Sequence, residues 1–271
     1  MSPFEKALFG VSLVTYLFAA ERQVRCLLRG RAPMERTTAG ILAAGLILHL
    51  GGFAARAITA GRHPLASIPE TLSFLAWWLV ISSLLLELRW RIPALGAFAL
   101  PLAAALDFVG LVGMGRAGRV PAVESPIVGV HIALSLLGYA AFALAFCTAV
   151  TYLIQDRLLK AKRLTGLSRH LPPVLQSDET SYRLVALGFP LFTLGLILGT
   201  VWAHLRGARY PTGDPKEIWG YITWLIFAVY LHARMINGWR GRRTAALLVF
   251  GFISLLITYL AVGHTLAFQF Q

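Results

Sequence analysis

Charge is scarce in this sequence. Only 14% of its 271 residues are Asp, Glu, Lys or Arg, where a soluble domain carries roughly 25%. The shortage is mainly acidic, with 12 Asp and Glu against 25 Lys and Arg and a formal net charge of +13. Cysteine is nearly missing. Cys26 and Cys147 are the only two, and no Cys-x-x-Cys or Cys-x-x-Cys-His occurs. That excludes a disulfide framework, a dithiol redox motif and a covalent c-type haem site within this chain. There is no P-loop and no Gly-x-Gly-x-x-Gly following a strand, so nothing points to nucleotide-driven transport. Tandem repeats, low-complexity tracts and a soluble domain are absent as well.

Apolar residues fill the chain instead: 57% are hydrophobic and the mean hydropathy is +0.69. A soluble enzyme or a disordered chain does not have this composition; a protein whose apolar surface is covered by lipid does. Eight runs are long enough to span, or nearly span, a bilayer, since about 20 residues cross its ~30 Å core. They are 4–20, 38–58, 71–88, 93–113, 127–154, 183–204, 219–236 and 244–264. Spans three and four form a tight antiparallel hairpin around Arg89, Trp90 and Arg91. The first run resembles a signal peptide, with Lys6 ahead and Ala19-Ala20 behind. Glu5 and the immediate Glu21-Arg22 favour a retained helix.

The excess of positive charge fits a membrane topology better than nucleic-acid binding. Seventeen of the 25 Lys and Arg residues fall in alternate loops, 1–2, 3–4, 5–6 and 7–8, which places those loops in the cytoplasm. The expected fold is therefore all-α: a polytopic integral membrane protein with eight transmembrane helices and both termini outside. It forms one domain over 1–271, and its longest outer loop is 205–218. The long basic loop 155–182 is cytoplasmic, and its Ser177-Asp178-Glu179 cluster is read as a cap for the sixth span.

Ionisable groups at membrane depth are costly and mark functional sites. His49 lies in span two, about 10–17 Å from its outer end, and His232 in span seven, about 20 Å from its outer end. Each is either an iron or metal ligand or a donor to a neighbouring helix's carbonyl. Asp107, mid-way along span four, either fixes a histidine's tautomer or sits protonated in a hydrogen bond. His131 starts span five and His264 ends span eight, both at the outer surface. They could ligate one haem from two sides, or simply be interfacial.

Three stretches resemble one family, the haem-handling membrane proteins of cytochrome c assembly (CcsA, ResC and CcmC type). HLGGFAARAITAGRHPLASIPETLSFLAW, His49 to Trp77, resembles the family's intramembrane histidine followed by an Arg, a Gly-x-x-Pro turn, a Glu and a Phe-Leu-x-Trp. VGVHIALSLLGYAAF, around His131, resembles its outer histidine followed by Tyr-Ala-Ala. Gly199 to Arg243 resembles its outer loop, with Asp-Pro-Lys-Glu and then Tyr-Leu-His-x-Arg. The resemblance implies a transmembrane haem pair at His49 and His232 and an outer axial ligand at His131. It also puts Asp214, Pro215, Lys216 and Glu217 at the border of an outer haem platform. The haem would be haem b, held non-covalently. Trp77, Trp78, Trp202 and Trp219 could stack on the ring or form interfacial belts, and Arg56, Arg62, Arg206, Arg209 or Lys216 could pair with a propionate.

Two departures from the family pattern stand out. Gly207, Pro211 and Gly213 occupy positions where tryptophans are expected. The chain also stops at Gln271, near the family's second outer histidine, with His264 close by but out of register. These features resemble a short, divergent HemX/YpjD-like branch. The expected function is to bind haem and deliver it across the cytoplasmic (inner) membrane to an apocytochrome c or an outer-domain assembly partner. On this reading the chain is a carrier, and any lyase chemistry belongs to a complex. The alternative is a regulatory or scaffolding membrane protein of haem biosynthesis, acting through its basic loops without transporting haem. An unrelated secondary transporter is disfavoured by the few intramembrane charges and the lack of an inverted repeat.

Overall fold

Where backbone groups cannot reach water they must bond to one another, and a long apolar run does so as a helix. The structure, a computed structural model, describes residues 1–29, 34–90, 92, 94–116, 125–162, 166–207 and 213–261. Among these residues it is all-helical: α1 (Pro3–Leu28), α2 (Arg36–Ala60), α3 (Ile68–Trp90), α4 (Leu95–Arg116), α5 (Pro126–Lys160), the short α6 (Gly166–His170), α7 (Val174–Leu205), α8 (Pro215–Met235) and α9 (Arg242–Leu256), which runs into a π-helical turn, Ile257–Ala261.

The ends follow local rules. Ser2 caps α1 by accepting from the Glu5 N–H, with a proline opening the helix. Asp214 does the same for α8, accepting from the Lys216 N–H at 2.8 Å ahead of Pro215. Gly61 closes α2 at φ +60°, a left-handed conformation that glycine adopts without steric cost.

Among the described residues, six helices are long and apolar enough to cross a membrane by length and composition: α2, α3, α4, α5, α7 and α9. Two segments read as spans from sequence, 4–20 and 219–236, lie in helices outside that set. Charge inside its own ends (Glu5, Lys6, Glu21, Arg22, Arg25) dilutes α1. In α8, Trp219, Tyr221, Trp224, Tyr230, His232 and Arg234 alternate with aliphatic residues. Helices α5 and α7 overrun their apolar segments. The sequence expects 127–154 and 183–204, whereas the helices are 35 and 32 residues long.

The chain divides into two compact units. The first holds α1 to α4, the last turns of α5, and α6. Its α3–α4 hairpin is packed backbone to backbone. A Cβ on Gly110 would lie 2.8 Å from the Pro69 carbonyl oxygen and 2.9 Å from the Ser73 nitrogen, so only glycine permits this approach. The second unit holds the rest of α5 with α7, α8 and α9. Its core is aromatic: Phe142 stacks on Phe227 at 3.7 Å and Phe146 on Phe252 at 4.3 Å between ring centroids. Hydroxyls add cross-helix bonds, with Thr223 2.9 Å from Ser254 and the Trp224 indole donating to Thr193.

Candidate functional site

In the first unit, the mid-helix polar residues gather on one histidine. His49 is fully buried. Its Nδ1 lies 3.1 Å from the Tyr16 hydroxyl of α1 and its Nε2 2.9 Å from the Ser73 hydroxyl of α3. Ser73 in turn donates to Asp107 Oδ1 of α4 at 2.6 Å. Phe53 stacks on the imidazole at 5.1 Å and Phe9 meets it edge-on at 5.3 Å. Asp107 therefore pairs with a histidine through an intervening serine. Its second oxygen, Oδ2, is buried without a hydrogen-bond partner among the described residues.

A second cluster in this unit engages Arg56. Its guanidinium donates to Glu70 at 2.8 Å and to Glu5 at 3.3 Å, and Arg62 adds two bonds to Glu70 at 2.9 and 3.0 Å. Thr59 also donates to Glu5. Two guanidiniums face two carboxylates, which is how buried charge is tolerated. Arg56 and Arg62, two of the five cations expected as propionate partners, thus spend donors within their own unit.

In the second unit, His131 is held differently. Its Nδ1 lies 2.6 Å from the Gly195 carbonyl oxygen. A carbonyl only accepts, so Nδ1 carries the proton and Nε2 keeps its lone pair. The ring is half-buried and rests against Gly199, where a Cβ would come within 2.9 Å of it. The Lys216 ammonium is close enough to act on it electrostatically, and lies 5.8 Å over the Tyr259 ring. Burial pushes that ammonium below the usual lysine range, while Asp214 pulls it back up. Trp202 sits one turn beyond Gly199. Its indole N–H is buried and has no hydrogen-bond partner among the described residues, and Arg206 lies 5.5 Å over its ring. Trp219 is half-buried in the first turns of α8, where its carbonyl accepts from Thr258.

His232 is exposed on α8. His264 and Arg209 lie outside the described residues. In the last turn of α8, Arg234 was missed by sequence reasoning. It donates to Asp178 of α7 at 2.6 Å, and both side chains are buried. Asp178 also accepts from the Gly241 N–H at 2.9 Å and the Thr244 hydroxyl at 3.3 Å. The Ser177-Asp178-Glu179 cluster is therefore no cap for its own helix. It lies inside α7, and Asp178 caps the start of α9 and clamps the α8–α9 turn. The usable signal was an acid in a basic loop opposite an arginine that closes an apolar run.

The residues at His131 fit an iron ligand: an imidazole with a fixed tautomer, partial exposure, and both a lone pair and a nearby indole N–H that find no hydrogen-bond partner among the described residues. At His49, both ring nitrogens are already bonded within the protein.

Long apolar helices with buried polar clusters define a multi-pass helical membrane protein. The chain belongs to the family described as Cytochrome C assembly protein, whose profile matches residues 65–267. It is similar to cytochrome c biogenesis protein CcsA of Gloeobacter violaceus, 32% identical over 95% of this chain and 90% of that one. The CcsA of Synechococcus elongatus is 34% identical over 83% of each. That of Guillardia theta is 34% identical over 77% of this chain and 76% of the relative. A role in cytochrome c assembly follows from this membership.

Proposed function

We propose that the chain binds haem b non-covalently and passes it to the outer face of the cytoplasmic membrane, for use by an apocytochrome c or an outer-domain assembly partner. The observation that carries this reading is His131, whose Nδ1–H is fixed on the Gly195 carbonyl while Nε2 stays available. Iron ligands of this kind are oriented by the bond the other nitrogen makes. Bound iron would supply Lewis acidity and redox chemistry; the protein supplies the geometry.

Trp202 and Trp219 offer flat apolar surface. Asp214 fixes the start of α8 and so the place of Lys216. Arg206, exposed over Trp202, is a freer partner for a propionate than Arg56. The second outer ligand is His264 or a residue of the partner. On the resemblance alone, His49 and His232 are the transmembrane ligands. Eight spans with both termini outside remain the topology we propose, α1 and α8 being the two least apolar spans.

The test is an absorption spectrum of detergent-purified protein with pyridine haemochrome quantitation. We expect a Soret band that is weakened in His131→Ala and lost when His49→Ala and His232→Ala are added. Haem-free protein from haem-replete cells would overturn the reading.

A further inference from the structure

Where α1 leaves its apolar segment, three arginines fall on one face. Arg22, Arg25 and Arg29 follow one another at intervals of three and four residues, the spacing that brings helical side chains over one another. They line a cavity of about 210 Å³, together with Cys26 and Phe18. That volume is below the ~300–1,000 Å³ of a pocket for a drug-sized ligand, so it suits a small charged group and not a porphyrin. Glu21 and Glu35 also line it, the first paired with Arg25 and the second with Arg22. Glu35 precedes α2 and makes no side-chain cap on its own helix. A guanidinium carries five N–H donors, so one carboxylate partner leaves others to spare. Three arginines against two glutamates leave one positive charge in excess.

The same face of α1 continues away from the cavity as hydrocarbon. Val11, Val14 and Phe18 precede Arg22 at intervals of three and four, and all three are exposed among the described residues. From Val11 to Arg22 the helix rises about 16 Å, close to half of the ~30 Å bilayer core. At the junction the Arg22 guanidinium lies 5.7 Å over the Phe18 ring. One side of α1 thus offers apolar surface matched in length to a single leaflet, ending in a cavity with excess positive charge.

We propose that this cavity binds the phosphate of one anionic phospholipid of the cytoplasmic leaflet, with an acyl chain along Val11, Val14 and Phe18. The leaflet rests on the topology proposed above, in which the loop after α1 is cytoplasmic. The net charge selects the lipid. A zwitterionic headgroup brings its own cation and leaves the excess charge in place, whereas a phosphate with a neutral substituent cancels it. Arginine suits the task because its planar fork bonds two phosphate oxygens at once. Free inorganic phosphate would meet the same donors but would leave the apolar stripe uncovered.

Two measurements on the full chain decide it. The first is native mass spectrometry of protein equilibrated in detergent with phosphatidylglycerol and phosphatidylcholine. We expect one phosphatidylglycerol to be retained, in several-fold preference over phosphatidylcholine. Arg25→Gln with Arg29→Gln, both at exposed positions, should remove the preference while Arg22 keeps its pairing with Glu35. Arg242→Gln with Arg243→Gln removes the same charge from the exposed start of α9 and should leave the preference intact. Equal losses in the two double variants, or no preference in the wild type, overturn the site.

The second measurement uses Cys26 as reporter, Cys147 being buried. In phosphatidylcholine vesicles, added phosphatidylglycerol should slow maleimide labelling of Cys26 several-fold in the wild type and much less in the Arg25→Gln, Arg29→Gln variant. Equal slowing in both overturns lipid occupancy of the cavity. Slowing of the same size by inorganic phosphate in lipid-free detergent would give the cavity to a free anion and overturn the lipid. Labelling of Cys26 by a membrane-impermeant maleimide from the outer face alone overturns the topology and the leaflet, while the mass spectra still decide the lipid.

Discussion

His49 and His131 are both helical histidines, yet the two units treat them in opposite ways. In the first unit every polar atom of the imidazole is bonded, to groups from two other helices, and aromatic rings close it in. In the second, one nitrogen is bonded to a backbone carbonyl and the other has no partner among the described residues, on a half-buried ring. The difference lies in the neighbours. Tyr16 and Ser73 bring hydroxyls to His49, whereas Gly195 and Gly199 bring bare backbone to His131. A histidine read from sequence is thus a ligand or a core residue according to what its neighbours leave unbonded.

The units also hold their buried arginines differently, and the largest expected effect tests this. Arg234→Met leaves Asp178 buried without its cation, at a cost of about 3–5 kcal/mol. Arg56→Met should cost less, about 1–3 kcal/mol, because Arg62 still bonds both oxygens of Glu70, and Glu5, which loses its cation, keeps the Thr59 and Ser2 hydroxyls. Thermal unfolding of the purified variants gives the ranking, and equal losses would remove the distinction between a single clamp and a shared network.

Much of this was legible in the sequence, and the gaps have physical causes. Apolar runs located α2 to α5, and the hairpin of α3 and α4 followed from its short connection. His49 and Asp107 stood out because ionisable groups are rare at membrane depth, and His131 because it opens a span at the outer surface. The early start of α7 was hidden because hydropathy ends where lipid ends, while the backbone goes on bonding to itself through Ser177, Asp178 and Glu179. The role of Ser73 was hidden too. A helical serine normally bonds back to its own helix, and only the close approach at Gly110 lets this one reach Asp107 and His49 across helices. Asp178 could not be matched to Arg234 by counting, since 56 residues separate them.

The next effect in size concerns that close approach. Gly110→Ala places a methyl 2.8 Å from the Pro69 carbonyl and 2.9 Å from the Ser73 nitrogen, so α3 must shift. Overpacking of this kind costs about 1–3 kcal/mol. Because Ser73 moves with α3, the His49 tautomer should become mixed by 15N NMR while His131 is unaffected. The corresponding change in the second unit is Gly199→Ala, where a methyl would press on the His131 ring at 2.9 Å and tilt it off the Gly195 carbonyl. Haem titration should read about tenfold weaker binding, equivalent to about 1.4 kcal/mol, with the His49 tautomer unchanged. A reciprocal pair of results would show that the two histidines are set by their own neighbours.

The smallest effect separates crowding from glycine chemistry as such. Gly40 is an exposed position of α2, and a Cβ there meets nothing within 4 Å. Alanine at that position limits the unfolded backbone and favours the helix by no more than about 0.5–1 kcal/mol. The melting temperature of Gly40→Ala should therefore stay level or rise slightly, and neither histidine's spectrum should change. A loss as large as that of Gly110→Ala would mean that α2 needs its glycine for a close approach the structure does not contain. The contrast between bare backbone at His131 and bonded hydroxyls at His49 would then no longer explain why the two rings differ.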